Sequence, residues 1–330
     1  MDAPIFVVGA NRSGTTLVRL ILNAHSRIAI PDELTYFGPS IAGVPVAQWR
    51  SPSLSSAAYE AFVDDFLETS CAPFLNDLDR KHLRSTILSQ PPNLRTPYQT
   101  VLRAWAHHHG KARWGEKTPG NLFYVDHILD MFPDARFVYV VRDPRAGVAS
   151  MQKVSFFPDD VVFNALSRRK HWRAGHQYLE RAVPAAQRLT LRYEDLVQEP
   201  ERYVRQLCTF VGERFEPAML SFYQDANQYM KTGAATGYNQ AATKPISSDR
   251  IRGWMHQLTA ADVAVVEMIC APEMREFGYE PTQKAPPIQT LLEILIKSLY
   301  WRVQSWRNPY RHYTVKSPIF ARMRHRLGLL

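Results

Sequence analysis

Four apolar residues, Ile5 to Val8, run into Gly9, and the chain then passes through Ala10-Asn11-Arg12-Ser13-Gly14. Beyond that turn, Leu17, Val18, Leu20, Ile21 and Leu22 fall on one helical face, so the pattern predicts a buried strand, a tight loop and a helix N-terminus. Short apolar runs recur at 27–31, 112–115, 136–141 and 188–192, separated by stretches of helical period. Strands alternating with helices predict an α/β fold, with a central, mainly parallel sheet flanked by helices. Between them, Tyr59 to Phe66, His82 to Leu88 and Pro97 to His108 read as amphipathic helices, punctuated by prolines from Pro39 to Pro97. The segment 38–110 is therefore expected to be a helical insertion capping the site. Helices are also predicted over about 121–131 and 160–183, from Asp262 through Cys270 with an end at Glu276-Phe277-Gly278-Tyr279, and after Pro144, a residue suited to a helix's first turn.

The loop chemistry narrows the function. Gly9 and Gly14 have the spacing of a phosphate-binding loop, where backbone N–H groups and the positive helix end face an anion. Thr15 stands where a nucleotide kinase or ATPase has its lysine, with Thr16 after it, and the strand 136–141 ends in Arg142 rather than a metal-binding aspartate. Metal-dependent phosphoryl transfer fits that pair of residues poorly. Strand, loop and helix signals agree, which weighs against a plain turn without a ligand.

These residues resemble the sulfotransferases that use 3′-phosphoadenosine 5′-phosphosulfate (PAPS). The resemblance covers residues 4–37, 112–124, 134–155 and 188–200, with a weaker echo at 244–258. The run RSGTTLVRLILNAHSRIAIPDELTYF is most similar to tyrosylprotein sulfotransferases and their bacterial relatives. The resemblance implies a sulfotransferase fold akin to that of P-loop nucleotide-binding proteins. It implies that Arg12, Ser13, Gly14, Thr15 and Thr16 hold the 5′-phosphosulfate end of the donor, and that Arg142 and Ser150, eight residues apart, hold the 3′-phosphate. It makes Glu33, twenty-one residues after Arg12, the general base, against a competing role of Asp32 and Glu33 as a helix-capping pair. Lys117 of Lys-Thr-Pro is implied near the transferring sulfuryl group, a plain surface lysine being the alternative, with Glu116 either its orienting partner or solvated. Tyr193 of Tyr-Glu-Asp-Leu is placed near the nucleotide, and Ser248 and Arg252 lie in a segment expected to close over it. The donor is a co-substrate leaving as 3′-phosphoadenosine 5′-phosphate, and no metal is expected. The acceptor is a hydroxyl, of a glycan or glycolipid first, of a peptide tyrosine or small alcohol or phenol second. The rival classes are a metal-dependent nucleotide kinase and a non-catalytic protein that binds nucleotide and membrane.

Composition changes this picture at one end only. At 330 residues with 45% hydrophobic content the chain can bury a full core. Its net charge is +9, but from Lys284 onward nine Lys/Arg face the single Glu293, so residues 1–283 sum to about +1. The expected division is a sulfotransferase domain over 1–283 and a basic extension over 284–330. In the extension, Leu291, Leu292, Ile294, Leu295, Ile296, Leu299, Tyr300 and Trp301 make a mostly apolar helix with a narrow polar stripe at Glu293, Lys297 and Gln304. An anionic membrane surface suits it, with packing on the body or on a second subunit as the competing reading. No nucleic-acid partner is expected. Arg168, Arg169, Lys170 and Arg173 read as a solvated helix face. Cys71, Cys208 and Cys270 have no metal-like spacing and are expected as buried thiols. With neither a signal peptide nor an apolar run long enough to span a bilayer, the expected location is the cytoplasm, peripheral to the inner membrane face.

Overall fold

The computed structural model describes residues 3–34, 36–37, 55–70, 77–155, 157–230, 240–282, 291–292 and 294–300. Strands β1 (Ile5–Gly9), β2 (Ile28–Ala29), β3 (Arg113–Glu116), β4 (Arg136–Val141) and β5 (Arg188–Arg192) form one sheet in the order β2-β3-β1-β4-β5. Every neighbouring pair is parallel. β1 lies at the centre, and the chain winds from it toward β3 on one side and β4 on the other. The crevice beyond the carboxyl ends of β1 and β4 is the switch point where such sheets bind ligands.

Alternation along the strands sorts two cores. Ile5, Val7, Val138, Val140 and Leu191 face α1 (Thr15–Asn23), while Phe6, Val8, Phe137, Tyr139 and Val141 face the opposite layer. That opposite layer draws on the segment read as an insertion. Tyr59 and Phe62 of α2 (Ser56–Asp65) and Tyr98 of α4 (Arg95–His108) belong to the same buried cluster as Phe6, and the Phe6 and Tyr98 rings stack 6.4 Å apart. Between them α3 (Arg80–Leu88) buries Leu83 and Ile87. The expected proline-limited helices thus form, and the aromatic content of α2 and α4 makes them part of the sheet's own packing.

The remaining helices follow the patterning with local differences. Pro119–Tyr124 is a 3-10 turn, and α5 begins only at Val125, running to Met131, because Pro119 sets that turn. α6 (Pro144–Gln152) starts on its proline, with Asp143 as cap. The predicted helix over 160–183 is α7 (Val161–Ala174) followed by a wider π turn at Gly175–Glu180. A Cβ at Gly175 would lie 2.5 Å from the Tyr139 ring, so the helix widens where it crosses β4. After β5 come α8 (Tyr193–Gln198) and α9 (Pro200–Val211). α10 (Ala260–Glu276) opens on a capping box between Thr259 and Asp262 and ends at Glu276, as the sequence predicts. Cys208 and Cys270 are buried free thiols, and Cys71 lies outside the described residues. The segments 283–290 and 301–330 of the basic extension also lie outside them.

Candidate active site

The loop after β1 leaves the N-terminus of α1 uncapped. Gly14 has a φ of 100°, a Cβ there would lie 2.6 Å from the Tyr193 ring, and no side chain caps α1, whose first turn has no acidic residue. The helix N–H groups of Thr15 and Thr16 therefore face the crevice with their dipole uncompensated. Arg12 takes a left-handed conformation with φ 63°, rare without glycine and held here by contacts from across the sheet. Its Nε donates to Ser150 Oγ at 3.1 Å, and its carbonyl accepts from Arg142 Nη1 at 3.2 Å. The Arg142 guanidinium lies over the Tyr193 ring, 4.2 Å from its centroid, and donates from Nη2 to the Arg250 carbonyl. The two halves of the implied donor site, far apart in sequence, are thus one constellation.

Beneath the loop is a cation that the charge pattern misread. Arg168 does not lie on a solvated face: it is 1% exposed, and burial pushes its guanidinium down to about 10. Nη1 donates to the Asn11 carbonyl, and Nη2 donates to Ser13 Oγ and the Arg142 carbonyl, within 2.8–3.2 Å. One fork thereby ties the β1 loop to the end of β4. Gly147 of α6 makes room, since a Cβ there would lie 2.0 Å from the guanidinium carbon. Ser13, fully buried, serves this strut from below the loop. The neighbours differ: Arg169 and Arg173 pair with Glu273, and Lys170 lies over the Phe123 ring.

The second cluster follows β2. Asn23 clamps the strand's exit, accepting from Ile30 N–H and donating to its carbonyl at 2.7 and 2.8 Å. Asp32 accepts from the Glu33 N–H, and residues 33–34 and 36–37 are not helical, so capping does not account for the pair. Lys117 is fully buried, not a surface lysine; its Nζ donates to Glu33 Oε1 at 2.7 Å and lies 3.5 Å from Asp32. Arg19, also fully buried, lies 3.8 Å from Asp32 on the other side. Glu116 is not solvated either. It accepts from Thr118 N–H and hydroxyl, Asn121 and Leu34 N–H. These bonds lock the Lys117 turn against the backbone that carries Glu33.

Both clusters open into one cleft of about 360 Å³. Arg12, Gly14, Thr15, Thr16, Glu33, Arg142, Ser150 and Tyr193 line it; Ser13 and Lys117 stand just behind the wall. Ser248 and Arg252 do not line it, and Lys244, Ser247, Asp249 and Arg250 do: Ser248 opens the 3-10 turn Ser248–Arg250 with its side chain away from the cleft, and Arg252 lies beyond that turn. Among the described residues the group of ligand atoms close enough for an ion is His176, Glu180 and Glu276, none of which lines the cleft.

A sequence model described as the Sulfotransferase family matches residues 4–217, about two-thirds of the chain. The chain belongs to the sulfotransferase family. It is 27% identical over 294 residues to protein-tyrosine sulfotransferase 1 of Danio rerio, spanning 86% of this chain and 75% of that protein. It is 24% identical to the protein-tyrosine sulfotransferase of Drosophila melanogaster over 86% of this chain and 52% of that one. Among solved structures it is similar in fold to the sulfotransferase domain of the curacin biosynthetic pathway, with TM-score 0.60 and 21% identity over 86% and 99% of the two chains. The sulfotransferase domain of the Synechococcus PCC 7002 olefin synthase gives 0.59 and 22% over 85% and 97%.

In this sulfotransferase the residues that sequence reasoning missed are Arg168 and Arg19; of the two readings of Glu116, the inward one is the one the packing selects. A basic residue close to a tryptophan-bearing apolar stretch was the one local hint for Arg168. Burial pushes the Glu116 carboxyl up to about 7, against the opposing pull of Thr118 and Lys117. A raised value means the folded sulfotransferase binds a proton that the unfolded chain has released, so this contribution is full below about 4.5 and lost as pH rises through about 7. Thermal melts across that window should show a downward slope with pH that Glu116→Gln flattens. Equal slopes in both proteins would mean that Glu116 stays ionised throughout.

Proposed function

We propose that this enzyme moves the sulfuryl group of PAPS to an acceptor hydroxyl. The observation that carries this reading is that one cleft joins an uncapped helix N-terminus, the Arg12–Ser150–Arg142 constellation and a carboxylate, Glu33, held by a buried lysine. The residues suit a doubly anionic nucleotide. The loop N–H groups and Arg12 would take the 5′ end, Arg142 and Ser150 the 3′-phosphate, and Tyr193 offers a ring face beside them. Glu33 would accept the acceptor proton as the new O–S bond forms and the S–O bond to the leaving phosphate breaks. Lys117, Arg12 and the loop N–H groups would stabilise charge on the sulfuryl and leaving oxygens, a positioning and electrostatic task.

For the acceptor we propose a glycan or glycolipid hydroxyl. A peptide tyrosine is the second reading, favoured by the likeness to protein-tyrosine sulfotransferases. Transfer from labelled donor to a panel of glycan, lipid and tyrosine-peptide acceptors decides between them. The donor assignment is tested without any acceptor. Arg142→Ala and Ser150→Ala should each weaken 3′-phosphoadenosine 5′-phosphate, by ~10-fold or more for the arginine, while adenosine 5′-phosphate binding changes little. Calorimetry in which both mutants bind both nucleotides as the unaltered chain does would remove the 3′-phosphate assignment.

A further inference from the structure

The helix over residues 291–300 turns its apolar side outward. Leu291, Leu292, Leu295, Ile296 and Leu299 are 38, 61, 56, 49 and 52% exposed, and their spacing places them on one side of a helix. The opposite side is docked. Ile294 is buried, Lys297 Nζ donates to Asp160 Oδ2 at the cap of α7, and the Tyr300 ring stands edge-on to Phe163 at 6.2 Å. The polar position of the sequence pattern thus points into the body and the leucines point to water, the reverse of a helix that serves the core. Among the described residues, five of the seven large hydrophobics with this exposure belong to this one stretch.

The chain beyond this helix carries the complementary signal. Residues 301–330 contain seven Lys/Arg and no Asp or Glu, interleaved with Trp301, Trp306, Tyr310, Tyr313 and Phe320, on a chain whose first 283 residues are nearly neutral. We propose that the outer leucine face of 291–300 binds the surface of an anionic phospholipid bilayer, an occupant chosen by the basic sequence that follows it. The leucines would enter the interface, and the positive charge of the sequence that follows favours anionic lipid head groups. A second copy of this chain would cover the leucines but oppose seven positive charges with seven more. A nucleic acid would satisfy the charges and leave the leucines in water. An anionic bilayer answers both. Lys297 fixes this helix to Asp160, three residues beyond Phe157 of the cleft wall.

The test uses the full chain and vesicles of phosphatidylcholine with or without phosphatidylglycerol. The protein should sediment with the phosphatidylglycerol vesicles at low salt, and its affinity should fall at least ~10-fold in pure phosphatidylcholine or at high salt, where screening is strong. The triple variant Leu292→Glu/Leu295→Glu/Leu299→Glu should lose at least ~10-fold while melting like the unaltered chain, since its positions face solvent. A variant that leaves the helix untouched, Arg322→Ser/Arg324→Ser/Arg326→Ser, should also bind more weakly and carries the test should the first misfold. Three results would overturn the proposal: no sedimentation with anionic vesicles at low salt, equal binding to neutral vesicles, or a dimer by light scattering that the leucine variant dissociates.

Discussion

Glu33→Gln is expected to lower sulfuryl transfer by ~10²–10⁴-fold with donor affinity retained, the usual range for loss of a general base. The substitution keeps the side chain's length and leaves an oxygen able to accept from Lys117, so the Asp32–Lys117–Arg19 arrangement behind it should persist. It removes the capacity to take the acceptor proton at the mouth of the cleft. Single-turnover kinetics with an identified acceptor separates the outcomes. A fall in the chemical step at unchanged nucleotide affinity assigns the base; near-normal turnover shows that Glu33 is only the partner of Lys117. Lys117 itself is a poorer probe, because removing a fully buried ammonium strands the carboxylates beside it and confounds rate with stability.

The largest stability effect is expected at Arg168. Arg168→Leu should cost ~2–5 kcal/mol, because it leaves the carbonyls of Asn11 and Arg142 buried without their donor and frees the β1 loop from the end of β4. For a chain of 330 residues that corresponds to a melting temperature lower by roughly 3–7 °C. Donor affinity should fall as well, since the loop N–H groups are aligned only while the strut holds Asn11 and Ser13. Arg168→Lys should rescue only part of the loss, as one ammonium on a flexible stem does not reproduce a planar fork with three acceptors. Melts and nucleotide titrations of the two variants check this. A leucine variant as stable as the unaltered chain would mean that loop and strand end hold together without the guanidinium.

These two residues separate local legibility from long-range context. The β1 strand, its glycine loop and α1 were legible because each is a short-range consequence of apolar period, glycine freedom at Gly14 and helix signals within some fifteen residues. The same holds for β3, β4, β5, the start of α6 on Pro144 and the strand-end placing of Arg142, whereas Glu33 lies four residues past the two-residue β2. An α/β fold with a parallel sheet and a phosphate-binding turn could be read from those patterns alone, and the quoted motifs sufficed for the resemblance to sulfotransferases.

The environment of each charge, by contrast, was set by packing across the fold. Arg168 and Arg169 are neighbours in sequence, yet one is buried under the loop and the other pairs with Glu273, because the acceptors that choose between them come from Asn11, Ser13, Arg142 and α10. Glu116 and Lys117, outwardly a polar turn, are buried because Leu34, Asn121 and Glu33 arrive from elsewhere to bond them. The apolar and polar sides of the helix over 291–300 were written in its sequence, but which side faces the body was set by Asp160 and Phe163 on α7. Period and turn chemistry act within a few residues and can be read along the chain. Desolvation and pairing of a charge depend on partners a hundred or more residues away, which only the folded packing brings within reach.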